Sequence, residues 1–435
     1  MANAKIFCNT PWYEINIYHD GSLGVCCQES RKIYNNNASQ YNIQNMSLTD
    51  WFNSVPVREF RKAILSDTPT DICSSCHHEE TVNGTSRRHR ANQKSVIFTK
   101  DAFQDSYNQS PGYPHFNLSE VDGFTDTLPI DLHIDLGNYC NLACKMCHSS
   151  ASTRIATQYV KWGHVDHKQY LGNDWTKDTK TWNRFLNELL TIPKLKNIHF
   201  MGGETLLTSR FEDLVDFLTA HSRFDVCFSF VTNGTTFNES LINKLKKFTR
   251  VGIEVSIETA TQHNDYVRQG TDTNLVLTNI KRYQQLCDSS SISVTIRPAI
   301  SLLTIGNYYT LLEYCLENKL IIKSLLVTTP SYLDCKILPV AVKEQYLSRY
   351  NKLAKLLADV DINSTYNESD VNNYKKSVKA QCEQVQNMLR QPSHTDQDVL
   401  LADMVKMCRQ WDNEFGFNAV DLYPELAEVF VQYGY

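Results

Sequence analysis

The chain has 435 residues, of which 42% are apolar, 21% charged and 11% aromatic, and its formal net charge is −5. This is globular composition, long enough for two or three domains of about 100–200 residues, and the small negative charge excludes a global basic field for nucleic acid or anionic membrane. No uncharged apolar run approaches the ~18 residues of a membrane span.

The start, Met-Ala-Asn-Ala-Lys-Ile-Phe-Cys, has no apolar signal-peptide core. The fourteen cysteines are therefore expected in a reducing, cytoplasmic compartment, where clustered thiols point to metal binding or catalysis rather than disulfides. They fall into three sets: Cys8, Cys26, Cys27, Cys73 and Cys76; then Cys140, Cys144 and Cys147; then Cys227, Cys287, Cys315, Cys335, Cys382 and Cys408, far apart. Most of the last set sit in apolar patterns and read as small buried hydrophobes. Cys335, in a Pro-flanked loop after a strand end, is the least defined of them, and with Glu258 it is a candidate acid or base; no catalytic residue is named.

In chain order, residues 12–18 and 23–27 alternate and are rich in β-formers, with His19-Asp20-Gly21-Ser22 between them, which predicts a β-hairpin. Thr49 is the expected cap of a helix carrying Trp51 and Phe52 and, after Pro56, Phe60 and Ile64. The Cys73/Cys76 knuckle follows. The short run Arg87-Arg88-His89-Arg90 reads as a solvated helix face rather than a nucleic-acid site, given the net charge. Residues 104–129, rich in Ser, Asn, Asp, Pro and Gly, read as a linker.

From residue 130 strand-like runs at 130–136, 197–201, 226–232, 251–257, 292–300 and 321–328 alternate with helix patterns near 150–162, 181–190, 209–221, 239–248, 274–287 and 307–318. Strand–helix alternation on this scale predicts parallel βαβ units with ligands at the carboxyl ends of the strands, and six strands rather than eight predict a partial barrel. Beyond 340 the pattern is helical only, with Leu347, Tyr350, Leu353 and Leu356–Leu357 on one face, and again around 399–411.

The first barrel strand, Ile130–Leu136, runs into Gly137-Asn138-Tyr139-Cys140, and Cys140, Cys144 and Cys147 follow at C-x3-C-x2-C spacing. Three thiolates on one short loop can hold three irons of a 4Fe–4S cube and leave the fourth iron open; with the adjacent His148 they can also make a zinc site. The next strand ends in Phe200-Met201-Gly202-Gly203-Glu204. Adjacent glycines allow close backbone approach to a ligand, and the carboxylate can accept from an ammonium group; a plain strand-to-helix turn is the other reading.

Together these motifs resemble the radical S-adenosylmethionine (SAM) superfamily. That resemblance implies that the open iron is chelated by the amino and carboxylate groups of the methionine moiety, with Gly202, Gly203 and Glu204 binding its amine. Val231-Thr232-Asn233-Gly234 is similar to the family's Thr-Asn-Gly, and Val255-Ser256-Ile257-Glu258 to its Val-Ser-Ile-Asp. The resemblance gives Thr232 and Asn233 to the cofactor, and places Ser256 and Arg268, twelve residues on, at the ribose and carboxylate region. Arg297, inside an apolar strand, needs an anionic partner if it points into the barrel, and is added to the cofactor contacts. Two positions depart from the family: Met146 stands where an aromatic residue near adenine is usual, and Thr205 where proline commonly follows Gly-Gly-Glu. A thioether can pack on a purine face.

Cys8, Gly21 and Cys26 have the C-x(9–15)-G-x4-C arrangement that resembles the SPASM auxiliary-cluster domain, or its shorter twitch form. Cys73 and Cys76 complete four ligands for one auxiliary 4Fe–4S cluster, with Cys27 as an alternative to Cys26; a zinc knuckle of Cys73, Cys76 and His77 or His78 is the rival. This domain at the amino terminus is similar to the twitch domain-containing radical SAM proteins of phages and bacteria. The segment from Cys73 to Arg87 matches that group's C-x2-C…E…G-x-S-x-R run, and the tail Phe417–Leu426 matches as well.

The expected architecture is α/β: an auxiliary iron–sulfur domain at 1–95, small and α+β, a linker at 96–128, a partial (β/α)6 TIM-like barrel at 129–335 and a helical region at 336–435. The resemblance implies a radical SAM enzyme that cleaves SAM to a 5′-deoxyadenosyl radical and takes hydrogen from a substrate, with a peptide or protein as first choice. A small metabolite (sugar, nucleotide or cofactor precursor) and a non-catalytic zinc-stabilised binding protein are the alternatives. It further implies a flavodoxin- or ferredoxin-type electron donor, with no membrane or nucleic-acid partner, in the host cytoplasm if phage-encoded.

Overall fold

The computed structural model describes residues 6–29, 33, 40–83, 86–93, 122–126, 128–287, 291–360 and 372–435. Most of the expected linker lies outside these residues. The strands, in chain order, are β1 Glu14–Ile17, β2 Leu23–Gly24, β3 Asp131–Asp135, β4 Ala143–Cys144, β5 Asn197–Met201, β6 Cys227–Thr232, β7 Val251–Val255, β8 Arg268–Gln269, β9 Ile292–Ile296, β10 Ala299–Ile300, β11 Ile321–Ile322 and β12 Leu325–Leu326. The long strands from β3 onward alternate with helices Thr179–Leu190, Ser209–Ala220, Glu239–Leu245, Thr273–Gln285 and Tyr308–Glu317. This is the mostly parallel α/β arrangement of a partial (β/α)6 barrel; the first four expected strands form, while 292–300 and 321–328 each break into two short strands, β9 with β10 and β11 with β12.

The chain divides into two compact units, residues 1–139, 159–230 and 240–251 in one and 140–158, 231–239 and 252–435 in the other. In the first, β1 and β2 make the expected hairpin, pairing antiparallel with Ile17 opposite Leu23. The turn is closed by Gly21 N–H donating to the Tyr18 carbonyl at 2.8 Å and by Asp20 accepting from the Ser22 amide at 3.1 Å. β1 then pairs parallel with β3, β3 with β5, and β5 with β6. Alternation sorts these strands into two faces. Leu132, Ile134, Ile198, Phe200 and Phe228 are buried against an aromatic layer in which Phe211 lies 4.9 Å from Phe200. The other face is polar: Asn197 Nδ2 donates to Asp131 Oδ1 at 2.6 Å, the His133 and His199 rings lie 4.7 Å apart, and His199 Nδ1 is 2.6 Å from Ser229 Oγ.

Ser47 rather than Thr49 caps the helix Leu48–Phe52, accepting from the Asp50 amide at 3.0 Å. The hydroxyl nearest the apolar run was the expected cap, but Thr49 already lies inside the first turn. Pro56 starts a separate helix, Val55–Leu65, as proline does where its missing N–H is not needed.

In the second unit β9 pairs parallel with β11, β10 with β12, and β4 antiparallel with β8. Helices Val340–Leu356, Asn373–Leu389 and Gln397–Phe415 follow, with Tyr350, Leu353, Val378, Cys382 and Cys408 buried among them. Among the described residues no helix is long and apolar enough to cross a membrane.

Candidate iron–sulfur and cofactor sites

The loop carrying Cys140, Cys144 and Cys147 is held by its second cysteine. β4 places Cys144 directly opposite Arg268 of β8, and the Arg268 guanidinium comes within 3.7 Å of Cys144 Sγ. Arg268 is buried, and its charge is kept by Glu258, which takes two hydrogen bonds from the guanidinium, one of them at 2.8 Å through Nη2. Burial works against that charge, but Glu258 and Cys144 more than offset it, so the guanidinium is pushed further above its ordinary range. Glu258 is fully buried and also accepts from the Ala299 amide at 3.1 Å. Its carboxylate is thus spent on holding Arg268 and the β10 backbone.

Asn233 braces the first cysteine. Its Nδ2 lies 3.9 Å from Cys140 Sγ and 2.8 Å from Asn141 Oδ1, while its Oδ1 accepts from the amide and hydroxyl of Thr235. The Leu142 amide donates to Cys140 Sγ at 3.4 Å. Thr232 turns its hydroxyl to the Gly234 amide, and its carbonyl accepts from Ser256 N–H at 2.9 Å. Arg297 does find an anion, Glu254, at 2.9 Å. Met146 is half-buried in the cysteine loop.

All three thiols sit within each other's field. Burial first, and neighbouring cysteines after it, push the Cys144 thiol far up and Cys147 to about 11, with Arg268 pulling the other way on both. Three thiols so placed, with a fixed cation and an amide donor on their sulfurs, suit a cofactor whose positive irons replace the protons. Among the described residues no three His, Cys, Asp or Glu side chains close on a point for one metal ion.

Lys145, between the cysteines, was not singled out by sequence. Its Nζ donates to the Tyr266 carbonyl at 2.6 Å and lies 3.4 Å from the Tyr266 ring centroid, with Trp411 at 5.0 Å and Phe417 at 5.6 Å. Burial lowers the Lys145 ammonium to about 7, so the cation–π contact, about 2 kcal/mol when desolvated, holds in full only below that pH. The tail thereby ties down the cysteine loop, and His263 Nε2 adds a contact at 2.8 Å to the Leu422 carbonyl. No local pattern announces these partners, which lie up to 272 residues away in sequence from Lys145.

In the first unit, Gly202 and Gly203 both have positive φ, 75° and 57°. A Cβ on Gly203 would stand 2.4 Å from the Tyr139 carbonyl oxygen, which instead accepts from Glu204 N–H at 2.7 Å. The double glycine is needed for that approach to the residue preceding Cys140. Glu204 accepts from the Leu206 amide at 3.2 Å, capping the short turn after the strand.

The amino-terminal cysteines converge within the same unit. Cys8, Cys26, Cys73 and Cys76 all line one cavity, with Arg88, Phe60 and Ile72 among its other walls. Cys27 is absent from that lining; its thiol is pushed to about 11, first by burial, and it shares the field of Arg87 and Glu14 with Cys26. The expected solvated basic face is corrected here. Arg88 is only 7% exposed, because Glu80 neutralises it through two hydrogen bonds of 2.9 and 2.6 Å, and Arg87 reaches Glu14 on β1 at 2.5 Å. The charges face carboxylates and thiols rather than water. Of the six scattered cysteines, Cys315, Cys335, Cys382 and Cys408 are buried, and Cys227 and Cys287 are half-buried.

Comparison with known families agrees with this geometry. Residues 134–299 match the radical SAM superfamily and residues 8–77 the SPASM iron–sulfur cluster-binding domain. The chain thus carries a radical SAM domain and, before it in sequence, a SPASM-type iron–sulfur cluster-binding domain; the cofactors of such domains are a SAM-binding 4Fe–4S cluster, SAM and an auxiliary iron–sulfur cluster. Similar solved structures include anSMEcpe with bound AdoMet, at 18% identity over 53% of this chain and 60% of that one, TM-score 0.38. SuiB of Streptococcus suis bound to S-adenosylmethionine is 16% identical over 68% and 62%, TM-score 0.38, and SuiB bound to the precursor peptide SuiA 13% identical over 66% and 60%, TM-score 0.35. These matches span about 60% of the other chains' length. No curated protein matches the sequence.

Proposed function

We propose that the protein is a radical SAM enzyme that modifies a peptide or protein in a reducing cytoplasm. Cys140, Cys144 and Cys147 are the ligands of the SAM-binding cluster, and Cys8, Cys26, Cys73 and Cys76 those of one auxiliary cluster. Held there and given one electron by a flavodoxin- or ferredoxin-type donor, the cluster would supply reductive cleavage of the SAM carbon–sulfur bond to methionine and a 5′-deoxyadenosyl radical, which would take a hydrogen atom from substrate. The observation that carries this reading is the three-thiol loop with the Arg268 guanidinium fixed 3.7 Å from Cys144, inside a segment that matches the superfamily.

The chain's residues have defined tasks in this scheme. Arg268, clamped by Glu258, presents a permanent positive charge beside the cluster, where an anionic carboxylate of SAM gains most from it. Glu204, Gly202 and Gly203 are the proposed contacts of the methionine amine, and Thr232, Asn233, Ser256, Met146 and Arg297 those of the rest of SAM. Lys145, within the loop, packs on Tyr266 and Trp411 and fixes the path of the chain between the cysteines. The SPASM-type match supports a polypeptide substrate.

The test is to supply anaerobically reconstituted enzyme with SAM, reductant and a short peptide encoded beside its gene. A mass change in the peptide together with 5′-deoxyadenosine is expected. Deoxyadenosine formation stimulated by a small metabolite, with the peptide unchanged, would contradict the substrate assignment.

A further inference from the structure

Among the described residues the wall of the four-cysteine cavity contains one charged side chain, Arg88, close in sequence to Cys73 and Cys76. It is held on three sides. Nε and Nη2 grip both oxygens of Glu80, and Nη1 donates to the Phe7 carbonyl at 3.1 Å, immediately before Cys8. Ser86 Oγ donates to Glu80 Oε1 at 2.6 Å, and His89 Nε2 lies 3.7 Å from the same oxygen. The glutamate, serine and arginine of the C-x2-C…E…G-x-S-x-R run therefore form one network against the cavity.

We infer that Arg88 and Glu80 are positioning residues that set the reduction potential of the auxiliary cluster in opposite directions, Arg88 raising it and Glu80 lowering it. This rests on Cys8, Cys26, Cys73 and Cys76 being the ligands. A reduced cluster carries one more negative charge than an oxidised one, so a fixed cation at its edge favours reduction and a fixed anion disfavours it; hydrogen bonds to the sulfurs act as a cation does. Arg88 shares the cavity wall with all four cysteines, and Glu80 is bonded to its Nε and Nη2. The guanidinium itself stays charged: burial is outweighed by Glu80.

A purely architectural Arg88, pinning residues 7 and 80 together, would give no such antisymmetry. The experiment uses the full chain with Cys140, Cys144 and Cys147 changed to Ala, so that one cluster is observed, in a redox titration monitored by electron paramagnetic resonance. The parent should bind about four irons; no cluster there would overturn the ligand assignment, separately from the inference. With iron retained, Arg88→Met is expected to lower the reduced-to-oxidised ratio at the parent midpoint by about tenfold, a shift of ~59 mV for one electron. Glu80→Gln should raise that ratio, and Arg88→Lys should stay near the parent. Unchanged midpoints, or shifts of the same sign in Arg88→Met and Glu80→Gln, would overturn the inference. If Arg88→Met loses its iron, the sign of the Glu80→Gln shift decides alone.

Discussion

Arg268 and Cys144 are 124 positions apart, yet β4 and β8 set them opposite each other with the guanidinium 3.7 Å from the sulfur. Glu258 makes that placement tolerable, because a buried guanidinium without a partner is strongly destabilising. Glu258→Ala is expected to lower the stability of the apo-protein by about 3–5 kcal/mol in urea titrations, the loss found when one member of a buried pair is removed. A loss under about 1 kcal/mol, the range of exposed pairs, would show that the pair is not desolvated.

The cavity distinguishes adjacent cysteines. Cys26 lines the cavity with Cys8, Cys73 and Cys76, whereas Cys27 is not part of its wall. Cys26→Ala should remove the auxiliary cluster, about four irons per chain, and Cys27→Ala should leave iron content and the visible spectrum as they are. The reverse pattern would exchange the two assignments.

Gly203 has φ 57° and no room for a side chain against Tyr139. Gly203→Ala is expected to cost ~2 kcal/mol or more, from the left-handed backbone and the contact with a carbonyl that cannot retreat. Thermal melting of the apo-protein measures it; an unchanged melting temperature would mean that the strand end relaxes freely.

His133 gives a pH signature. Burial, then the His199 ring and Arg87, hold its pKa well below 6.5 in the fold, while an unfolded chain protonates near 6.5. For a depressed base the contribution to stability is complete above the unfolded value and is lost as pH falls below it, by up to about 1.4 kcal/mol per unit. Denaturant titrations at pH 7 and 5.5 should show that loss in the parent and a smaller one in His133→Asn. An identical loss in both would assign the slope to another group.

The parts of this molecule legible in sequence are those written in local spacing. Cysteine intervals, glycine pairs and the change of hydrophobic period from 2 to 3.6 depend only on near neighbours, so the barrel strands and the two thiol groups could be read directly. What could not be read depends on distant partners. The pairing of β1 with β3 joins residues more than a hundred positions apart, and nothing in Glu14–Ile17 indicates that neighbour. Arg87 and Arg88 looked solvated because Glu14 is 73 residues from Arg87 and the thiols they face are invisible to a charge-pattern argument. Lys145 looked like an ordinary loop lysine until Tyr266, Trp411 and Phe417 closed around it.

The central claim is that Cys140, Cys144 and Cys147 hold the cluster that cleaves SAM. The most direct measurement is 5′-deoxyadenosine formation by anaerobically reconstituted, chemically reduced enzyme, comparing the parent with Cys144→Ala. The parent should form deoxyadenosine and bind about eight irons in two clusters, and the variant should form none and retain about four. Full cleavage by Cys144→Ala, or a colourless zinc-containing parent, would contradict the account.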